Sequence, residues 1–133
     1  KNSREHRVPL SPQADALIKT LPVKKFETHL FLGARRGKGL SNMAMLTLLR
    51  RMNRHTITAH GFRSTFRDWA AEQTSYAREV IEQALAHTLQ NKVEAAYFRS
   101  DLFEKRRALM QDWAVYCFSA GKNEINSIAS TKQ

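Results

Sequence analysis

A histidine and an arginine stand one helical turn apart at His60 and Arg63, inside the stretch TAHGFRSTFRDWAAE (58–72) of a 133-residue chain. A second histidine, His87, ends the run YAREVIEQALAH, and Tyr97 follows ten residues later, beyond the polar LQN. A histidine–arginine pair at this spacing most often makes a surface hydrogen bond or salt bridge, and Asp68 and Glu72 are near enough to serve. The pair is not isolated, however, because four groups able to handle a phosphate fall within 38 residues. The chemistry that wants these types together is phosphoryl transfer from DNA to a tyrosine. A phenol titrates at about 10, so a site that uses it as nucleophile must favour developing phenolate with cations. Arg63 can present two N–H donors to non-bridging phosphate oxygens, and His60 and His87 can add donors as charge builds. A lysine that protonates the leaving 5′-oxygen would complete the set, and with such cations no metal ion or other cofactor is expected.

The charge distribution points to the same class of partner. The formal net charge is +10, yet residues 1–67 hold fourteen Lys/Arg against three Asp/Glu, whereas residues 68–133 hold eight against nine. Between Glu27 and Asp68 lie forty residues without a carboxylate, carrying Arg35, Arg36, Lys38, Arg50, Arg51, Arg54, Arg63 and Arg67. A solvated protein face usually mixes signs, so this window favours a polyanion, with a generic basic surface as the competing reading.

The elements that must position these groups are mostly helices. HRVPLS (6–11) and HLFLG (29–33) read as short strands, the second followed by the glycine-spaced basic loop ARRGKG. Ser11 caps a helix with Pro12 at its first position, running to about Leu21. Ser41 caps the next, in which Met45, Leu48, Leu49 and Met52 form a buried stripe and Arg50, Arg51 and Arg54 face outward. In the helix around GFRSTFRDWAAE the apolar stripe is Phe62, Phe66 and Trp69, which leaves His60, Arg63 and Arg67 on another face. Ala77, Val80, Ile81 and Ala84 repeat the spacing after Ser75, NKVEAAYF (91–98) predicts a short helix, and RSD a break. The last helix opens with Asp101 and Glu104 in capping-box positions and buries Phe103, Met110, Trp113, Ala114 and Cys117. With no internal repeat and no second domain, the fold class is mainly α with a small β remnant near the N-terminus. Residues 1–120 form the domain, and 121–133 a polar tail expected to be flexible.

The single cysteine, Cys117, excludes an intrachain disulfide, and its neighbours Tyr116 and Phe118 predict a buried thiol in a reducing compartment. No apolar run approaches membrane-spanning length and KNSREHRVPL is no signal peptide, so the chain reads as soluble and intracellular. Tyr116 reads as core beside Trp113, and Tyr76 opens a helix with only Arg78 as a basic neighbour. His6, His29 and His55 read as surface or hairpin residues. A zinc site from His55, His60 and Cys117 lacks the HExxH or paired-cysteine spacing.

At this point the sequence resembles the tyrosine recombinases, specifically the integrases of prophages and genomic islands. TAHGFRSTFRDWAAE resembles the family's His-x-x-Arg box. ALAHTLQNKVEAAYFRSDLFEKRRALMQDWA resembles its third-box histidine and nucleophile segment, and KNSREHRVPLSPQA its catalytic-lysine hairpin. The similarity runs from Lys1 to about Cys117.

This resemblance implies a catalytic-domain-like fold with Tyr97 as nucleophile, His60 and Arg63 as phosphate binders, His87 as a phosphate-contacting donor and Lys1 as general acid. The implied activity is integration and excision of mobile DNA through a 3′-phosphotyrosyl intermediate. The family uses a further arginine upstream of the lysine hairpin, so the chain reads as the C-terminal portion of a catalytic domain, inactive when taken alone. Double-stranded DNA is the implied partner, with self-association into a tetramer on it in the full-length protein. The implied location is the bacterial cytoplasm, at the nucleoid when DNA is bound. A type IB topoisomerase would share the chemistry. A non-catalytic DNA-binding module gripping phosphates with helix 41–54, or a degenerate domain kept for protein contacts, are the readings from other classes.

Overall fold

A computed structural model describes residues 5–22, 29–35, 37–87 and 101–130, with side chains given as far as Ser119. Lys1, Arg36, Tyr97 and the expected helix at 91–98 lie outside the described residues. The described chain forms five helices, α1 (Pro12–Lys19), α2 (Ala44–Arg51), α3 (Ala59–Gln73), α4 (Arg78–Ala84) and α5 (Phe103–Ser130). The single domain expected from sequence divides into two compact units, one of residues 1–19 and 66–133, the other of residues 20–65.

In the first unit, Ser11 starts α1 as its type and the following proline predict. Its buried Oγ accepts the Ala14 N–H at 3.1 Å and its carbonyl the Asp15 N–H at 2.9 Å. The helix ends two residues earlier than expected, at Lys19, whose Nζ lies 2.6 Å from Asp15 one turn back. The core comes from three helices, with Phe66, Trp69 and Ala70 of α3, Val80 and Ile81 of α4 with Leu85 behind it, and Leu109 of α5. Trp113 stands edge-on to Phe66 at 5.4 Å between ring centroids and stacks on Tyr116 at 5.5 Å. Tyr76 is tied to α5 by its hydroxyl, which donates to Asp112 at 2.6 Å. Burial and this carboxylate push the Tyr76 phenol up to about 12.

Helix α5 keeps its backbone helical to Ser130, so residues 121–130, expected as a tail without regular structure, continue the helix. Cys117 is exposed, which corrects the buried thiol; the buried apolar positions of α5 are Leu109 and Ala114, while Trp113 and Tyr116 pack on Trp69 of α3. At the start of α5, Asp101 Oδ1 accepts the Phe103 N–H at 3.2 Å as expected of a cap, but Glu104 pairs with Arg107 at 3.0 Å rather than completing a capping box.

In the second unit, the strand expected at 29–33 reduces to one isolated antiparallel bridge between Leu32 and Gly39, and residues 5–11 of the first unit form no strand either. The β remnant is therefore confined, among the described residues, to that bridge. It closes a tight basic turn in which the Gly33 N–H donates to the Lys38 carbonyl at 2.8 Å. A Cβ on Gly33 would collide with the Gly39 carbonyl, and Gly37 sits at φ +70°, which explains the glycine spacing.

Helix α2 starts later than Ser41 predicts. Met43 is its N-cap without a side-chain bond, and Ser41 contributes its carbonyl to Ala44 at 3.0 Å. Of the expected stripe only Leu49 is buried, while Met45, Leu48 and Met52 are exposed, Met52 to 58%. Phe62 is exposed as well.

Candidate phosphate-handling residues and nucleic-acid interface

Helix α2 ends on Asn53 at φ +56°, with the Arg54 N–H donating to Leu49 and the Asn53 N–H to Arg50. This is the Schellman arrangement, and Asn is among the few side chains that accept the left-handed conformation cheaply. It turns the chain after Arg50 and Arg51 so that Arg54 and His55 follow at once. Thr58 then starts α3 by accepting the Gly61 N–H on Oγ1 at 3.0 Å. His60 falls in the first turn and Arg63 in the next. Arg35, Lys38, Arg50, Arg51, Arg54, His55, His60 and Arg63 are all exposed. No acidic side chain occupies the first turn of α3, whose unpaired N–H groups add partial positive charge. The second unit thus carries the basic residues expected to meet a polyanion.

The first unit holds His87. Helix α4 also ends in a Schellman arrangement: the Ala86 N–H donates to Gln83 at 3.1 Å and the His87 N–H to Glu82 at 3.0 Å. Here the left-handed position is Ala86, at φ +53°. The imidazole folds onto the same residue that holds its backbone, with Nδ1 2.6 Å from Glu82 Oε2. The other carboxylate oxygen, Oε1, accepts from Arg67 Nε at 2.9 Å. Burial pushes the Glu82 carboxyl up, but hydrogen bonds from His87 and Arg67 and the nearby positive charge outweigh it, leaving the group below the usual glutamate value. Arg67, read from sequence as a DNA contact, thus has its Nε engaged by Glu82 while its side chain stays half exposed.

A second arrangement joins Arg7 to the start of α5. Arg7 donates to Asp101 Oδ2 from Nη2 at 2.6 Å and from Nε at 3.0 Å. Arg106, only 1% exposed, donates from Nη1 to the Arg7 carbonyl at 2.7 Å and from Nε to the Asp101 carbonyl at 2.8 Å. The guanidinium carbons of Arg7, Arg106 and Arg107 lie 4.9, 5.7 and 5.1 Å from the centre of the Phe103 ring. The Arg7 hydrogen bond holds the Asp101 carboxyl below its ordinary range.

His60 and Arg63 belong to one unit and His87 to the other; within its unit His87 pairs with Glu82, which also holds Arg67. Sequence reasoning missed Glu82, Arg7 and Arg106, and read Asp101 only as a cap. Arg106 had a signal: it occupies the helical position between Phe103 and Leu109 on an otherwise apolar stripe, where a charge must find buried partners. Glu82 had none beyond its place one turn before the helix end.

Prophage integrase IntA of Escherichia coli strain K12 is 33% identical to the chain over 128 residues, which is 94% of the chain and 31% of the relative. Prophage integrase IntZ of the same strain is 35% identical over 86% of the chain and 29% of its own length. The integrase of Enterobacteria phage P4 is 36% identical over 87% of the chain and 28% of its own length. The chain therefore spans less than a third of the length of the curated relatives it matches. No family model and no solved structure matches it. Among the described residues, no helix is long and apolar enough to cross a membrane.

Proposed function

We propose, from the similarity of most of the chain to phage and prophage integrases, site-specific recombination of double-stranded DNA, by strand cleavage and rejoining at a tyrosine. The Tyr97 phenolic oxygen attacks the scissile phosphorus and loses its proton, and the bond to the 5′-oxygen breaks. The DNA 3′-phosphate is left on the tyrosine, and Lys1 gives a proton to the departing 5′-oxygen. His60, Arg63 and His87 supply donors to the non-bridging oxygens, where charge grows most in the transition state. The reverse sequence, with a new 5′-hydroxyl attacking the phosphotyrosine, rejoins the strand without an external energy source.

The observation that carries this reading is the similarity to proteins named integrases across 86–94% of the chain. The exposed basic residues from Arg35 to Arg63 support DNA as the partner, through phosphate contacts that position it without reading sequence. The full-length protein would act as a tetramer on DNA, in the bacterial cytoplasm. A suicide substrate nicked beside the cleavage site tests the assignment. The full-length protein should leave a covalent adduct after denaturation, and Tyr97→Phe should abolish it while shifting intact DNA normally. An adduct formed by Tyr97→Phe would place the nucleophile elsewhere.

A further inference from the structure

Glu82 is attached to His87 twice. Its main-chain oxygen accepts the His87 N–H at 3.0 Å and its Oε2 meets the His87 ring Nδ1 at 2.6 Å, while Oε1 takes Arg67 Nε at 2.9 Å. Its side chain is 12% exposed, so it is held on both oxygens with little access to water, whereas the His87 side chain is 41% exposed. The carboxyl also stands below its usual value, so near neutral pH it is a carboxylate and can only accept. The proton between it and His87 therefore belongs to Nδ1.

We propose that Glu82 is a positioning residue that accepts from His87 Nδ1–H and fixes the ring with Nε2 directed to the phosphate. The inference rests on the reading of His87 as a phosphate contact. A neutral imidazole protonated on Nδ1 has a lone pair on Nε2 and cannot donate there. To donate to a phosphate oxygen from Nε2, the ring must carry both protons. Glu82 accepts the Nδ1–H and so orients the ring from behind, as the carboxylate does in other carboxylate–histidine pairs. Arg67 in turn fixes the carboxylate, so a ring at the helix end gains an orientation its own backbone would not enforce. A cationic donor makes the shorter, stronger hydrogen bond that a developing dianionic phosphorane requires.

Two measurements separate this inference from the reading beneath it. Nitrogen-15 spectra of the imidazoles in the 133-residue chain should show His87 Nδ1 protonated, and Glu82→Ala should move that proton population toward Nε2. An unprotonated Nδ1 in the unmodified chain, or no change in Glu82→Ala, overturns the inference. In the full-length protein, Glu82→Ala should slow covalent trapping on the suicide substrate about 10- to 100-fold with DNA affinity changed less than about twofold. Glu82→Gln, which retains an acceptor for Nδ1–H and fills the same space, should recover part of the rate. Equal loss of trapping and of affinity in both variants would mean a purely structural role and would overturn the inference. His87→Ala serves as the reference: if it traps DNA at the normal rate, the assignment of His87 to the site fails, whatever the imidazole spectra show.

Discussion

Arg106 Nη1 donates to the main-chain oxygen of Arg7 at 2.7 Å, joining residues 99 positions apart. Arg106 also reaches the Asp101 carbonyl, and Arg7 closes the triangle on the Asp101 side chain. Arg7 and Asp101 are thus fastened to each other at the start of α5. A buried guanidinium with these partners is expensive to disturb, because its removal orphans two carbonyls and leaves a cavity.

Arg106→Ala is accordingly expected to destabilise the fold by roughly 3 kcal/mol. Arg7→Ala, at an exposed ion pair, is expected to cost far less. Urea unfolding followed by tryptophan fluorescence compares them, since Trp69 and Trp113 both lie in or against the core. Equal midpoints for the two variants would contradict the difference in burial.

At Ala86 the backbone sits at φ +53°, a conformation that costs an alanine about 1 kcal/mol and a glycine almost nothing. Ala86→Gly should therefore raise stability by about 0.5–1 kcal/mol, whereas Glu82 and His87 keep their hydrogen bonds. Thermal melting of the variant reads this directly; a lower midpoint would mean that the strain is relieved by a contact the glycine loses.

Charge reversal at Arg50 and Arg51 should weaken DNA binding for all sequences alike and flatten the dependence of log K on log salt by about 2, one unit per lost phosphate contact. Reversal at Lys105, exposed on α5 in the other unit, should change the slope little. Fluorescence anisotropy on two unrelated duplexes over a salt series measures both. An equal effect at Lys105 would dismiss the 35–63 segment as the footprint.

Tyr76 carries a pH signature. Its phenol is raised to about 12 from the ordinary 10, so the unfolded chain loses this proton first. The stability from the Tyr76–Asp112 hydrogen bond is complete below pH 10 and is lost as pH rises from 10 to 12. Glu82 behaves oppositely. Its carboxyl lies below the ordinary 4.5, so the stability it contributes is present above that value and fades as pH falls further. Ultraviolet titration should show one phenol ionising late, and Tyr76→Phe should remove that step.

From sequence alone one could read the charge imbalance, the presence of all five described helices though not the full length of α5, the Ser11–Pro12 start of α1 and the resemblance to a recombinase family. These are local or compositional properties: a helical period, a cap residue and a run of cations do not depend on what lies opposite. What lies opposite decided the rest. Met45, Leu48 and Met52 share the apolar spacing of Leu49, yet only Leu49 is covered, and Cys117 stays exposed although its neighbour Tyr116 packs on Trp69 of α3. The segments at 6–11 and 29–33 have strand-like residues, but a strand needs a partner ladder, and among the described residues only Leu32 and Gly39 supply one bridge. Glu82 lies fifteen residues from Arg67 and five from His87, and it joins them because the break after Gln73 folds α4 back beside α3. Periodicity carries no information about that reversal, so the carboxylate that holds His87 became visible only when the helices were packed.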